Sequence, residues 1–174
     1  GRYLSGGDNT VFGNYAMEGG GVGAYTANNN VVLGYGAART ATTGASNNVI
    51  VGYQAADNIT TGNNNIVIGY DIDLQDPTQS NTLNIANLIF GTGLTGTGTT
   101  IPVGGQIGIG TSSPTAQLHT TGSLRLSNFG AGTLQTDASG NVSVSSDERL
   151  KDIQAVYTDG IDSLMNIEPI TFKW

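Results

Sequence analysis

One short unit, Asn-x-x-x-Gly with Tyr usually next, recurs four times and limits what this chain can fold into more than any other feature. The copies are Asn9-Thr-Val-Phe-Gly13, Asn30-Val-Val-Leu-Gly34-Tyr35, Asn48-Val-Ile-Val-Gly52-Tyr53 and Asn65-Ile-Val-Ile-Gly69-Tyr70, and their glycines lie 21, 18 and 17 residues apart. A period this short leaves room for one strand and a return path, so the units predict a solenoid with one coil per repeat. The β-branched triplets are the strands. Looser text between them, such as Thr60-Thr61-Gly62-Asn63-Asn64, supplies the turns.

In an extended strand successive side chains face opposite ways, so Val31 and Leu33 share one face while Val32 takes the other. Both faces of each unit are therefore apolar. The inside of a coil uses one of them, and the second calls for a further buried surface, which a three-fold axis between copies would supply. Four coils at about 4.8 Å make a layer only roughly 20 Å high, too little to stand alone comfortably. Composition points the same way. The 174 residues include 27 Gly, and only 11% are charged, which leaves few long side chains to fill the wide core of a compact α/β enzyme.

The formal charge of −7, with six scattered basic residues, argues against a nucleic-acid partner, which needs clustered Lys and Arg. No stretch approaches the roughly 20 apolar residues of a membrane span, and no secretory leader pattern opens the chain. With no Cys, disulfides and thiolate metal sites are excluded, and no cofactor is implied.

The repeat units resemble the head repeats of trimeric autotransporter adhesins and similar repeats of phage and bacterial surface fibres, in which an Asn-x-x-x-Gly strand builds a parallel β-roll. The resemblance covers residues 9–88 if Asn81-Thr-Leu-Asn-Ile-Ala-Asn87 is counted as a divergent last coil. It implies a mainly β fold with residues 1–90 as a trimeric β-roll or β-solenoid head. Residues 91–106, rich in Gly and Thr, read as a connector. From Ile107 the text changes to alternating Leu118, Leu124 and Leu126 with turn signals at Thr121-Gly122 and Ala138-Ser139-Gly140-Asn141. Residues 107–146 look like the interleaved β shaft that precedes chaperone domains in phage tail fibres.

Composition shifts again near residue 146: 26 of the 27 Gly lie before Asp147, and 9 of the 19 charged residues lie from Asp147 onward. There the run Ser146-Asp147-Glu148-Arg149-Leu150-Lys151 resembles the start of the intramolecular chaperone of endosialidase-type tailspikes, peptidase family S74. That likeness makes residues 147–174 the α+β beginning of a domain that drives trimerisation and then cuts itself off. It places the cut between Ser146 and Asp147, with Ser146 as nucleophile, Lys151 as its base and Arg149 assisting. The chemistry is reasonable, because a serine hydroxyl needs a neighbouring base and lysine serves as one only when its pKa is lowered. Ser146 also reads as an N-cap for a helix beginning at Asp147. Further on, Ile161, Leu164, Met165 and Ile167 follow helical spacing up to Pro169.

Other candidate sites carry less. Asp71, Asp73 and Asp76 lack the Gly turn and distal Glu of a calcium loop and read as a turn before Pro77. His119 is the single histidine, so a zinc site or a serine–histidine triad within one chain is nearly excluded. Tyr35, Tyr53 and Tyr70 form a ladder suited to packing between coils or to receiving sugar rings. Enzymatic activity is at most serine-type autoproteolysis of the chain itself. The expected setting is a structural tail fibre of a virion, or a surface appendage, that meets a host receptor (glycans included) and other tail or baseplate proteins. A bacterial trimeric adhesin and a non-cleaving fibre of a contractile injection device are the alternatives.

Overall fold

The computed structural model describes residues 6–19, 26–127 and 133–145. Among them the chain is all strand, without a helix, and its core is a solenoid of roughly four turns. It divides into two compact units, Gly1–Leu124 and Arg125–Trp174.

In the first unit the repeats become β1 (Thr10–Phe12), β2 (Val31–Leu33), β3 (Val49–Val51) and β4 (Ile66–Ile68). Each strand lies parallel to the next and in register, and β5 (Leu83–Ile85) continues the stack on β4. The middle residue of each triplet points inward: Val32, Ile50 and Val67 are at most 1% exposed. Opposite them the return path contributes mostly alanines, among them Ala37, Ala38, Ala55 and Ala56, all buried. The interior is thus narrow and filled mostly by small side chains, with Met17, Ile59, Ile72 and Leu74 as the larger buried exceptions.

The narrowness has a polar cause. The first residue of each unit is an asparagine, buried at Asn30, Asn48 and Asn65 and half-buried at Asn9, whose side chain bridges both to the next coil and across its own. Asn30 Oδ1 accepts hydrogen bonds from the backbone N–H and the side-chain amide of Asn48, at 2.9 and 3.1 Å. The Asn30 amide in turn donates to Asn9 Oδ1 and to the Ala45 carbonyl at the far end of the same coil, at 2.9 and 2.8 Å. Asn48 repeats the pattern, accepting from the Asn65 N–H at 2.9 Å and donating to the Gly62 carbonyl at 3.0 Å. Asn65 accepts from the N–H and hydroxyl of Thr82 and donates to the Gln79 carbonyl. Each carboxamide therefore satisfies backbone groups that would otherwise be buried unpaired.

After each strand the chain turns at a glycine. Gly13, Gly34 and Gly52 have φ of +138 or +139°, and a Cβ on any of them would lie 1.8–2.2 Å from the backbone oxygen of the glycine one coil on. No other residue fits there.

The solenoid stops where the interior column changes from Val to Asn. Asn84 takes the place of Val67, and its side-chain Oδ1 accepts the Asn87 N–H at 3.0 Å. Ala86 and Asn87, at φ +53 and +51°, then reverse the chain in a tight turn. β6 (Ile89–Thr92) runs back antiparallel to β5, and β7 (Gln106–Ile109) pairs antiparallel with β6. The Gly/Thr-rich stretch is the loop between these two strands. β8 (Leu118–Thr120) closes the eight-stranded sheet, parallel to β7. Residues 123–126, which alternate in sequence, form no strand.

The second unit, within its described residues, is the antiparallel hairpin of β9 (Thr133–Thr136) and β10 (Val142–Ser145). Asp137 staples its turn. Its carboxylate accepts the N–H groups of Ser139 and Asn141 and the Asn141 side-chain amide, at 2.8–2.9 Å. Those bonds, the Asn141 amide first, hold its pKa below the usual aspartate range.

Replacing Asn48 by alanine strands the Asn65 N–H and the Gly62 carbonyl in a dry interior. The expected loss is about 3 kcal/mol, given about 1–3 kcal/mol for each unsatisfied buried group. Urea unfolding should show it as a lower midpoint at unchanged slope. A loss under about 0.5 kcal/mol, the scale of ordinary surface changes, would mean that the ladder does not hold the coils.

Candidate functional site

With the middle residues turned inward, the flanking residues of each triplet face outward, and the in-register stack aligns them in two columns. The first runs Val31, Val49, Ile66 and Leu83, and passes Gly91 to reach Ile107 and Leu118. The second runs Phe12, Leu33, Val51, Ile68, Ile85, Ile89 and Ile109. Neither column contains a charged residue. Eight strands at about 4.8 Å make a face roughly 34 Å tall. Val31, Leu33, Val49 and Ile68 are each 37% exposed, and Phe12 is 78% exposed. Thr10 opens the first column and Thr120 closes the second, so the columns carry six and seven apolar side chains, and exposed apolar patches of this extent mark interaction sites.

The two borders of the face differ. Beyond the second column stand the tyrosines. Tyr35 and Tyr53 are stacked with ring centroids 5.4 Å apart, and Tyr53 and Tyr70 with centroids 5.1 Å apart, the planes within 12° of parallel. The rings therefore pack coil against coil, and stacking uses the ring faces that a sugar would need. In the first coil Tyr15 occupies the neighbouring position and meets Tyr35 edge-on. The Arg39 guanidinium lies 5.5 Å from the Tyr15 ring centroid and pairs with Glu18 at 3.3 Å.

Beyond the first column runs a second, outer asparagine ladder. Asn29, Asn47, Asn64 and Asn81 all adopt the left-handed conformation, with φ between +57 and +60°. Asn is the non-glycine residue that tolerates this best, because its short amide bonds locally. Here the amides bond along the stack, Asn29 to Asn47 at 3.3 Å and Asn64 to Asn81 at 3.1 Å. Paired asparagines before each strand look like generic turn text. The signal that separates them is recurrence: in the second, third and fourth coils the one immediately before the triplet is buried, and the one before that is exposed.

The remaining candidate residues are dispersed. Ser146, Asp147, Arg149 and Lys151, with the helix expected at 161–167, lie outside the described residues. His119 sits in the middle column, opposite Gly108 and on the other side of the sheet from the apolar face, where its Nδ1 accepts the Thr115 N–H at 3.3 Å. Asp76 accepts the N–H and hydroxyl of Thr78, both at 2.8 Å, and forms the turn around Pro77. Asp73 instead faces Asp57, with Asp71 near. Among the described residues no three His, Asp or Glu gather as a metal site, and no helix is long and apolar enough to cross a membrane. Comparison with family models, curated proteins and solved structures finds no match for this chain.

Partial burial, and then repulsion from Asp57, raise the Asp73 pKa above the usual aspartate range. Bonds from Thr78 lower that of Asp76. Folded protein therefore keeps the Asp73 proton over a pH range in which unfolded chain has lost it. This contribution weakens as pH climbs from the ordinary aspartate pKa through the raised one. Asp73→Asn should remove that decline and stabilise the fold at neutral pH. Asp76→Asn should do the reverse, removing stability present above the ordinary pKa and lost in acid. Thermal unfolding between pH 3 and pH 7 tests both, and parallel curves for wild type and Asp73→Asn would refute the assignment.

Proposed function

We propose that this chain is a structural part of a homotrimeric, β-rich fibre for host attachment, as in a phage tail. On this reading the apolar face of the solenoid turns toward the three-fold axis, and the segment beginning at Ser146 is an intramolecular chaperone that promotes trimerisation. The observation that carries the reading is the pair of apolar columns, the first running from β2 to β8 with a gap at Gly91 and the second from β1 to β7, both free of charge. A monomer gains nothing from them, since its own interior is already filled by the opposite side of the same strands. A shared axis buries them and repeats the contact along the full height of the sheet.

The Ser146 to Lys151 run supports the fibre over a membrane-anchored adhesin, because its likeness is to a releasing chaperone and not to an anchor. Its six residues supply the nucleophile, base and assisting cation for cutting between Ser146 and Asp147. Receptor contact falls to surfaces other than the columns, and glycans are the expected class.

Native mass spectrometry should give three times the chain mass. Val51→Asp, which puts a carboxylate into the second column of every copy, should give monomer at micromolar concentration with its strand signature intact, because a buried unpaired charge is severely penalised. A wild-type monomer would sink the trimer. For the chaperone, mass analysis of the expressed protein should show a product ending at Ser146 in wild type and only intact chain in Ser146→Ala. Cutting in both would exclude this serine.

A further inference from the structure

The outer row of each coil has a direction. It runs Asn29, Val31, Leu33, Tyr35 in the second coil, Asn47, Val49, Val51, Tyr53 in the third and Asn64, Ile66, Ile68, Tyr70 in the fourth. The face is thus bordered by carboxamides on one side and phenol rings on the other, with aliphatic groups between. A face with unlike borders constrains how copies can meet. Around an axis parallel to the stack, every copy presents its row in the same rotational sense, so the tyrosine border of one must meet the asparagine border of the next. An antiparallel pair, with its two-fold axis along the strands, would set tyrosine against tyrosine.

Resting on the trimer reading above, we infer that the contact between copies is heterologous, with the tyrosine ladder of one protomer against the outer asparagine ladder of its neighbour. The second copy is the fitting occupant for three reasons. Both ladders arise from the same coils and share one rise, so an in-register copy matches them rung by rung, Tyr35 with Asn29, Tyr53 with Asn47 and Tyr70 with Asn64. Closure of a ring forbids any net rise from copy to copy, which fixes that register. The chemistry is also complementary. A tyrosine hydroxyl donates to a carboxamide oxygen, which has two lone pairs, and Asn29 spends its amide on Asn47 and keeps its own oxygen for a neighbour. The ring bodies meanwhile extend the apolar contact of the columns. Tyr35, Tyr53 and Tyr70 are 45%, 42% and 75% exposed, so their edges are free for this contact while stacking uses the faces between them.

The chain has no cysteine, so introduced thiols are the only ones present. The full chain carrying both Asn47→Cys and Tyr53→Cys, treated with a short bis-maleimide, should run on denaturing gels as a covalent trimer, while each single variant stays monomeric there. Because Asn47 is left-handed and cysteine tolerates that poorly, Val49→Cys with Tyr53→Cys serves as a second pair on ordinary strand geometry. Cross-linking of Tyr53→Cys alone would show like borders meeting and overturn the inference. A native trimer that neither pair cross-links would also overturn it, and would leave the trimer standing. Covalent products that stop at dimer, or a monomer by native mass, would remove the trimer itself.

Discussion

Everything in the first unit depends on one polar contact, the carboxamide of the buried asparagine that opens each repeat. Its oxygen takes the N–H of the next coil, and its nitrogen reaches the carbonyl at the end of its own return path, so one side chain sets both the rise between coils and the width of each coil. Asn30 reaches Ala45 and Asn48 reaches Gly62 at 2.8–3.0 Å, which draws the far wall close to the strand. A wall so close favours small side chains, and alanines make up most of it, with Met17, Ile59, Ile72 and Leu74 the longer residues it admits. Glycine must turn the corner, because a Cβ at Gly52 would strike the backbone of the coil beyond. The composition of the repeat is a consequence of this bond geometry.

A narrow coil has an energetic shortfall. Each strand buries one aliphatic side chain inward against small partners, and apolar burial contributes only about 25 cal/mol per Å². Backbone ordering costs about 1–2 kcal/mol per residue, so an interior rich in Ala leaves little surplus. The hydrogen-bonded ladders satisfy buried groups more than they add net stability. The outer columns are the largest apolar reserve the sheet holds, and they lie on the surface. On the proposed trimer, burial of these columns is what assembly would add to the fold.

Period and parity made the solenoid legible in the amino-acid sequence. Strands at residues 31–33, 49–51 and 66–68 follow from β-branched triplets at fixed spacing, and alternation alone says that Val32 and Leu33 part company. What stayed hidden depends on contacts distant in sequence. Nothing local in Asn29-Asn30 tells which amide goes inside, because the choice is made by an asparagine 18 residues later. Nor does Ile89–Thr92 announce that it will pair with Gln106–Ile109 across a loop of Gly and Thr, for such loops place few constraints on where their ends meet. The tyrosine stack lies between these cases. Its period is plain, but whether rings meet each other or leave their faces open depends on the turn that the preceding glycine makes. Residues of the chaperone-like segment fall outside the described structure, so their reading rests on the likeness of Ser146 to Lys151 alone.

The row therefore separates two tasks that most proteins mix. Inward positions, the first asparagine, the middle aliphatic and the glycine, serve the single coil, and a change there is felt by the chain alone. Outward positions, the outer asparagine, the two flanking aliphatics and the tyrosine, contribute less to the coil, since its interior is closed without them. They are free to be shaped by whatever lies across the surface. Such a surface would be expected to carry charge if water lay across it, because exposed columns of Val, Ile and Leu invite indiscriminate association. Instead it is uncharged and mostly apolar, and asymmetric at its borders. In the proposed ring of identical copies, where each contact joins two different borders, that asymmetry would let one border be shaped to fit the other.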